Sequence, residues 1–257
     1  MSLGSSIALP NVRKFFQPDP GYILFDVDLA GADAQIVAWE ANDEPLKAAF
    51  RAHAAGKGPK VHCVNAQAIF GSAAGPDGTT DPYYSRAKAG VHLTNYGGKA
   101  KTCAAALSIS VPAAEHFQRT WFELHPAIKE WHTTVENSLR YSRSVRNPFG
   151  FVRTYFDRID DMLLGQALAW VPQSAVAIII DTAYNRITAS LPDVQILLQV
   201  HDSLVGQCPI PLWPIRKQQI REALEVVVPY ADPLIVPTGL ATSTKSWGDV
   251  KKEAWDR

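Results

Sequence analysis

Apolar and polar positions change their spacing several times along the chain, and each change marks an element. Residues 22–28, YILFDVD, follow the breakers Pro18, Pro20 and Gly21 and read as a short β-run. From Ala32 onward, Ile36, Val37, Trp39, Ala41, Leu46 and Phe50 fit helical segments. Residues 61–70 read as a helix closed by Gly71, with a Gly/Pro/Thr/Asp-rich loop running on to Pro82. Residues 85–96 read as a helix stopped by Gly97 and Gly98. One long helical region is expected over 112–142, with apolar contacts from Phe117, Trp121, Phe122, Ile128 and Trp131, before residues 147–150, NPFG, break it and begin a hairpin or loop. A second long helix is expected over 160–190. Two strands with a tight connection then surround QVHDSLVGQ at 199–207, residues 215–228 read as helical, and 234–236 read as a final strand. The order strand, helices, hairpin, helix, strand favours an α+β fold with an antiparallel sheet over a doubly wound one.

The 257-residue length suits one domain of moderate size or two closely joined subdomains. Lys plus Arg and Asp plus Glu number 25 each, so net charge points to no polyanionic partner. Residues 82–114 break that balance locally: they carry Arg86, Lys88, Lys99 and Lys101 and no acid, which gives one basic surface. Cys63, Cys103 and Cys208 are too few and too scattered for a disulfide framework or a Cys-rich zinc site, and read as small buried residues in a reducing compartment. No apolar run approaches the roughly 18 residues of a membrane span, and the N-terminus has no signal-peptide pattern, so a soluble, cytoplasmic protein with no membrane partner is expected.

The candidate chemistry begins in the hairpin. A tight turn projects from a sheet edge, so Asp202 is displayed there. Asp suits turns for local reasons, and a functional reading needs a second acid at a comparable strand end. Asp26 and Asp28 share a face by the two-residue strand period, and Asp28 lies at the strand exit. Carboxylates on neighbouring strand ends can hold paired Mg²⁺ ions, which prefer oxygen ligands. Lys88, His92 and Tyr96, four residues apart, share a helical stripe that reads either as a solvated cationic face or as a nucleotide grip.

These residues carry a resemblance. DLAGADAQIVAW at 28–39 resembles motif A of the family A DNA polymerases, KAGVHLTNYG at 88–97 resembles motif B, and VHDS at 200–203 resembles motif C, in the family's order and spacing. LPNVR at 9–13, VHCVNAQAIFG at 61–71, WFELHP at 121–126, VPQSAVA at 171–177 and SWGD at 246–249 are similar to further family segments, so the likeness covers about 9–250. His92 followed by Asn95, Tyr96 and Gly97 looks most like the bacteriophage-type branch.

The resemblance implies a polymerase palm with an antiparallel sheet, at about 9–60 and 160–257, and helical fingers at about 61–159. It implies template-directed DNA synthesis from dNTPs on a primer 3′-hydroxyl with two Mg²⁺ ions, for which Mn²⁺ can substitute. Asp28 and Asp202 would be the catalytic metal ligands, with the backbone carbonyl of Leu29 completing the site. Lys88 would pair with the triphosphate, His92 would face the incoming nucleotide, and Tyr96 would stack at the nascent base pair, with Gly97 allowing the turn. Asp33 stands where the family commonly has a Glu that crowds the sugar 2′ position and contacts Tyr96. Gln173 would lie near the template–primer minor groove and His201 near the primer terminus. Arg13, Arg140, Arg143, Arg146 and Arg153 are further phosphate-contact candidates.

Three departures qualify the likeness. Tyr84 stands where the family begins the motif B helix with an Arg that binds the terminal phosphate, and Arg86 is the nearby cation offered in compensation, on a different helical face. Ser203 replaces an acid often found beside Asp202. Thumb and exonuclease segments are expected to be absent, which implies low processivity, no proofreading and a thumb-containing or processivity partner. The competing readings are a polymerase using RNA template or ribonucleotides, and a non-catalytic or partner-dependent nucleic-acid-binding module.

Overall fold

The computed structural model describes residues 10–71 and 82–255. The described residues divide into two compact units, one of residues 10–30, 177–226 and 235–255, the other of residues 31–71, 82–176 and 227–234.

The first unit is built on β1 (Tyr22–Leu29), β4 (Gln195–Val200), β5 (Ser203–Pro209), β8 (Thr238–Ser243) and β9 (Lys251–Glu253), in the order β4-β5-β1-β8-β9. All four pairings are antiparallel, as the sequence implied. β1 is central. Its Leu24, Phe25 and Val27 are fully buried, and Leu204, Val205 and Cys208 of β5 join them in the core. Trp213, which opens α9 (Trp213–Leu224), stacks on Phe25 at 5.7 Å between ring centroids. Burying such aromatic area stabilises this part of the sheet.

The second unit is largely helical: α1 (Ala32–Glu40), α2 (Glu44–Ala54), α3 (Val61–Phe70), α4 (Pro82–Asn95), α5 (Ala100–Leu107), α6 (Val111–Leu124) and α7 (Pro126–Ser142), then a hairpin of β2 (Ser144–Arg146) and β3 (Val152–Thr154). The hairpin turns through the expected NPFG, where the Asn147 side-chain carbonyl accepts from the Phe149 and Phe151 N–H groups. The boundary between the units falls inside α8 (Asp161–Ser190).

The structure corrects several expectations. The helix expected over 112–142 is two helices, because His125 leaves helical geometry (φ −132°, ψ 64°) and Pro126 has no N–H with which to continue the ladder. His125 instead meets Asp43 Oδ1 at 3.0 Å through Nδ1 and packs its ring 4.3 Å from Trp121. The short α5 had not been foreseen. The helix expected over 215–228 ends at Leu224, and β6 (Val227–Val228) pairs with β7 (Leu234–Ile235). β7 is not the final strand, since β8 and β9 follow. Contrary to the reading that no segment reaches membrane-spanning length, α8 meets that test by length and composition, the one helix among the described residues that does so. Half of its apolar window is buried within the protein.

Candidate metal and nucleotide-binding sites

Backbone register places the carboxylates of the first unit. At the exit of β1, Asp28 stands opposite Ser203 of β5 on one side and Gly239 of β8 on the other. A Cβ at Gly239 would run into the Asp28 carboxylate, so glycine there leaves that side chain its room. Asp202 occupies the β4–β5 turn after His201, which takes a left-handed conformation at φ 54°. A non-glycine residue pays roughly 1–2 kcal/mol for that geometry, so the turn must be held by its surroundings. Two bonds hold it: the Leu29 N–H donates to the Asp202 carbonyl at 3.0 Å, and Ser203 Oγ donates to the Val200 carbonyl at 3.0 Å. The first of these ties Asp202 directly to the residue after Asp28.

The electrostatics are those of crowded carboxylates. The Asp28 carboxyl is held above the usual carboxylate range, first by desolvation between the flanking strands and then by the charges of Asp26 and Asp202, with Lys252 a lesser opposing influence. Asp28 still presents an exposed surface, so the desolvation is that of a rim and not of a closed core. Asp26 is occupied differently: its Oδ2 accepts from Trp247 Nε1 at 2.7 Å. Among the described residues no three His, Cys, Asp or Glu side chains form a metal-binding group. The carboxylates that remain at this strand end are Asp28 and Asp202, linked through the Leu29 N–H. Two hard carboxylates with mutual repulsion to relieve fit Mg²⁺, which keeps water and phosphate oxygens in its remaining positions.

Helical spacing places the candidates of the second unit. Tyr84, Lys88 and His92 recur every four residues along α4, and Lys88 and His92 are exposed. Tyr96 lies one residue past the helix, its N–H still donating to the His92 carbonyl at 3.2 Å and its ring 4.3 Å from the His92 ring. The end of α4 is pinned by three side chains: Trp121 Nε1 donates to Asn95 Oδ1 (2.9 Å), His132 Nε2 to the Asn95 carbonyl (2.9 Å), and Gln118 Nε2 to the Gly98 carbonyl (2.6 Å). Gly97 turns the chain at φ 72°, with Leu168 Cδ1 3.1 Å from where a Cβ would stand. The Tyr96 hydroxyl is buried, with the Asp33 carboxylate as its polar neighbour. Burial first, and the Asp33 carboxylate second, push its phenol well above the usual range, which places Asp33, in the first turn of α1, within electrostatic reach of Tyr96.

The other candidates are more scattered. Arg86 is not on the stripe; its guanidinium lies 5.9 Å over the ring of Tyr83, which itself packs 5.3 Å from Phe70. Gln173 is exposed on α8, and His201 is exposed in the β4–β5 turn. Lys99 of the basic segment is paired with Asp161 at 3.0 Å.

One residue was missed by sequence reasoning. His62 of α3 sets its ring 6.0 Å from Tyr84 in an edge-on arrangement, and its Nδ1 is buried without a hydrogen-bond partner. Burial, then the charges of Lys88 and His92, push its imidazole down to about 4. The sequence signal was VHCVNAQAIFG itself, which placed the helix but could not show which side chain faces α4.

Residues 6–249 match the model of DNA polymerase family A. The chain belongs to that family. Among its relatives, DNA polymerase I of Caldicellulosiruptor bescii is 28% identical over 88% of this chain and 27% of its own length. The thermostable DNA polymerase I of Thermus aquaticus is 25% identical over 89% and 28%, and a DNA polymerase of a Mycobacterium phage is 24% identical over 93% and 37%. The chain thus spans about a quarter to just over a third of the curated relatives it matches. The fold is similar to the POL domain of Pol1 from M. smegmatis, solved in complex with DNA primer-template and dNTP, with a TM-score of 0.77 at 23% identity over 92% of this chain and 42% of that one.

Proposed function

We propose that this chain carries out template-directed DNA synthesis, joining dNTPs to a primer 3′-hydroxyl by two-metal nucleotidyl transfer. The observation that carries the reading is the carboxylate pair: the charge of Asp202 reaches the Asp28 carboxyl, and the Leu29 N–H bond to the Asp202 carbonyl ties the two segments together, at the positions where the sequence resembles motifs A and C. Two Mg²⁺ ions, when bound, would activate the 3′-hydroxyl and stabilise the departing pyrophosphate.

The chain's own residues do the holding. Asp28 and Asp202 supply the carboxylate ligands and the Leu29 carbonyl a further oxygen. Lys88 neutralises triphosphate charge, with His92 and the neutral His62 beside it. Tyr96 offers a flat face for stacking against a base, and Asp33, through its influence on Tyr96, biases the site toward deoxyribose. Gln173, His201 and Gly97 are assigned to template and primer. Palm and fingers are assigned to 9–60 with 160–257, and to 61–159.

Extension of a labelled primer–template with dNTPs and Mg²⁺ tests the reading, with Asp28→Ala and Asp202→Ala as controls and a thumb-containing polymerase fragment as an added arm. Growth of the primer by the native chain and its loss in both variants supports it. DNA binding without extension under every metal and partner condition supports a non-catalytic module instead. Preference for ribonucleotides in direct competition supports the ribonucleotide-using alternative.

A further inference from the structure

The phosphate grip outlined above lacks the arginine that the resemblance leads one to expect, because Tyr84 holds its position. Arg86 does not fill the gap. It leaves the stripe for Tyr83, and Tyr83 packs on Phe70, the last residue of α3. Tyr84 instead meets the first turn of α3, through His62 at 6.0 Å. The two neighbouring tyrosines therefore direct the cations around them to opposite ends of α3.

At the Tyr84 end stands Lys60. It is the residue immediately before α3, its side chain does not cap that helix, and its Nζ lies 5.9 Å over the Tyr84 ring, within cation–π range. We propose that Lys60 is a specificity-determining residue for the triphosphate, supplying from α3 the terminal-phosphate charge that Tyr84 cannot supply from α4. The inference rests on the nucleotide-binding reading of α4.

Three observations support it. Neither α3 nor α4 carries an acidic residue, so the pair of helices sets no anion of its own against an incoming polyphosphate. The buried Nδ1 of His62, whose ring also meets Tyr84, has no protein partner and is suited to one from a ligand. The Tyr84 phenol is raised by burial and then by Cys63, so it stays protonated and can donate to a phosphate oxygen. Lysine is a flexible point charge where arginine is a fork, so the substitution keeps charge recognition and gives up bidentate geometry.

The test uses the full chain, with inorganic tripolyphosphate as a binding probe and single-nucleotide incorporation as a kinetic one. Lys60→Ala is expected to weaken tripolyphosphate binding and to raise the dNTP KM, each by about tenfold, with kcat little changed. Lys60→Arg retains native values, and Tyr84→Arg introduced into Lys60→Ala restores them. Circular dichroism of each variant confirms the fold. If native protein fails to bind tripolyphosphate, or if Lys60→Ala leaves both quantities within twofold while Lys88→Ala raises them, the inference is overturned and the polymerase reading stands or falls on primer extension alone. Lys60-dependent tripolyphosphate binding without any primer extension sustains the phosphate contact and removes the polymerase reading.

Discussion

At the exit of β1 a carboxylate is placed by sheet register, while along α4 the basic and aromatic groups are placed by helical spacing and by a second helix packed beside it. The first arrangement holds its groups through backbone on both sides: Asp28 faces Ser203 and Gly239, and Leu29 bonds the Asp202 carbonyl. The second leaves Lys88 and His92 exposed on the helix. A register-built site tolerates almost no change in shape and suits a small, geometrically demanding cation. A stripe of long side chains adapts, and suits a flexible polyphosphate.

The contrast predicts how each region breaks. Removing a ligand from the register-built site has the largest effect: Asp28→Ala and Asp202→Ala each lower single-nucleotide incorporation by at least about 10³-fold, measured by rapid quench, with primer–template affinity retained in a gel-shift assay. Next comes shape alone. Gly239→Ala adds one methyl against the Asp28 carboxylate and lowers kcat by about 10²-fold, while the thermal midpoint, read by circular dichroism, moves by only a few degrees. On the helix, Lys88→Ala removes charge without disturbing geometry, so kcat/KM falls by about thirtyfold, mostly through KM in dNTP titrations.

Smaller effects separate the two regions by stability. His62 is neutral in the fold, with its imidazole held at about 4 against an ordinary 6.5. Between those values the unfolded chain binds a proton that the folded chain does not, so native stability is full above about 6.5 and declines as pH falls toward 4. Urea unfolding across this window should show His62→Asn flattening the decline by about 3 kcal/mol. In the sheet unit, Trp247→Phe removes the 2.7 Å bond to Asp26 and lowers stability by about 1–2 kcal/mol, a loss that urea titration at neutral pH will read.

Sequence legibility followed the same division. β1 and the β4–β5 hairpin were readable because Asp26 and Asp28 fall at the two-residue period and the QVHDSLVGQ turn carries its acid where turns favour one. Antiparallel pairing and the α+β class followed from that. β8 and β9 were not readable: Thr238–Ser243, TGLATS, is small and polar, and it forms a strand because β1 offers its other edge, a tertiary reason that no local pattern encodes. The break at His125 was signalled by Pro126, but the apolar spacing from Phe117 to Trp131 runs on across it and concealed the stop. On α4 the four-residue stripe was legible. Its neighbours Lys60 and His62 were not, since they reach Tyr84 through the packing of α3 on α4 and have no spacing relation to the motif.

The role of the carboxylate pair is tested by single-turnover incorporation of one dNTP across a Mg²⁺ titration, following primer extension and pyrophosphate release together in the native chain, Asp28→Ala and Asp202→Ala. Two-metal transfer at Asp28 and Asp202 predicts one pyrophosphate for each nucleotide added, a rate that depends on Mg²⁺, and loss of both signals in each variant while DNA stays bound. Native rates in either variant would contradict it.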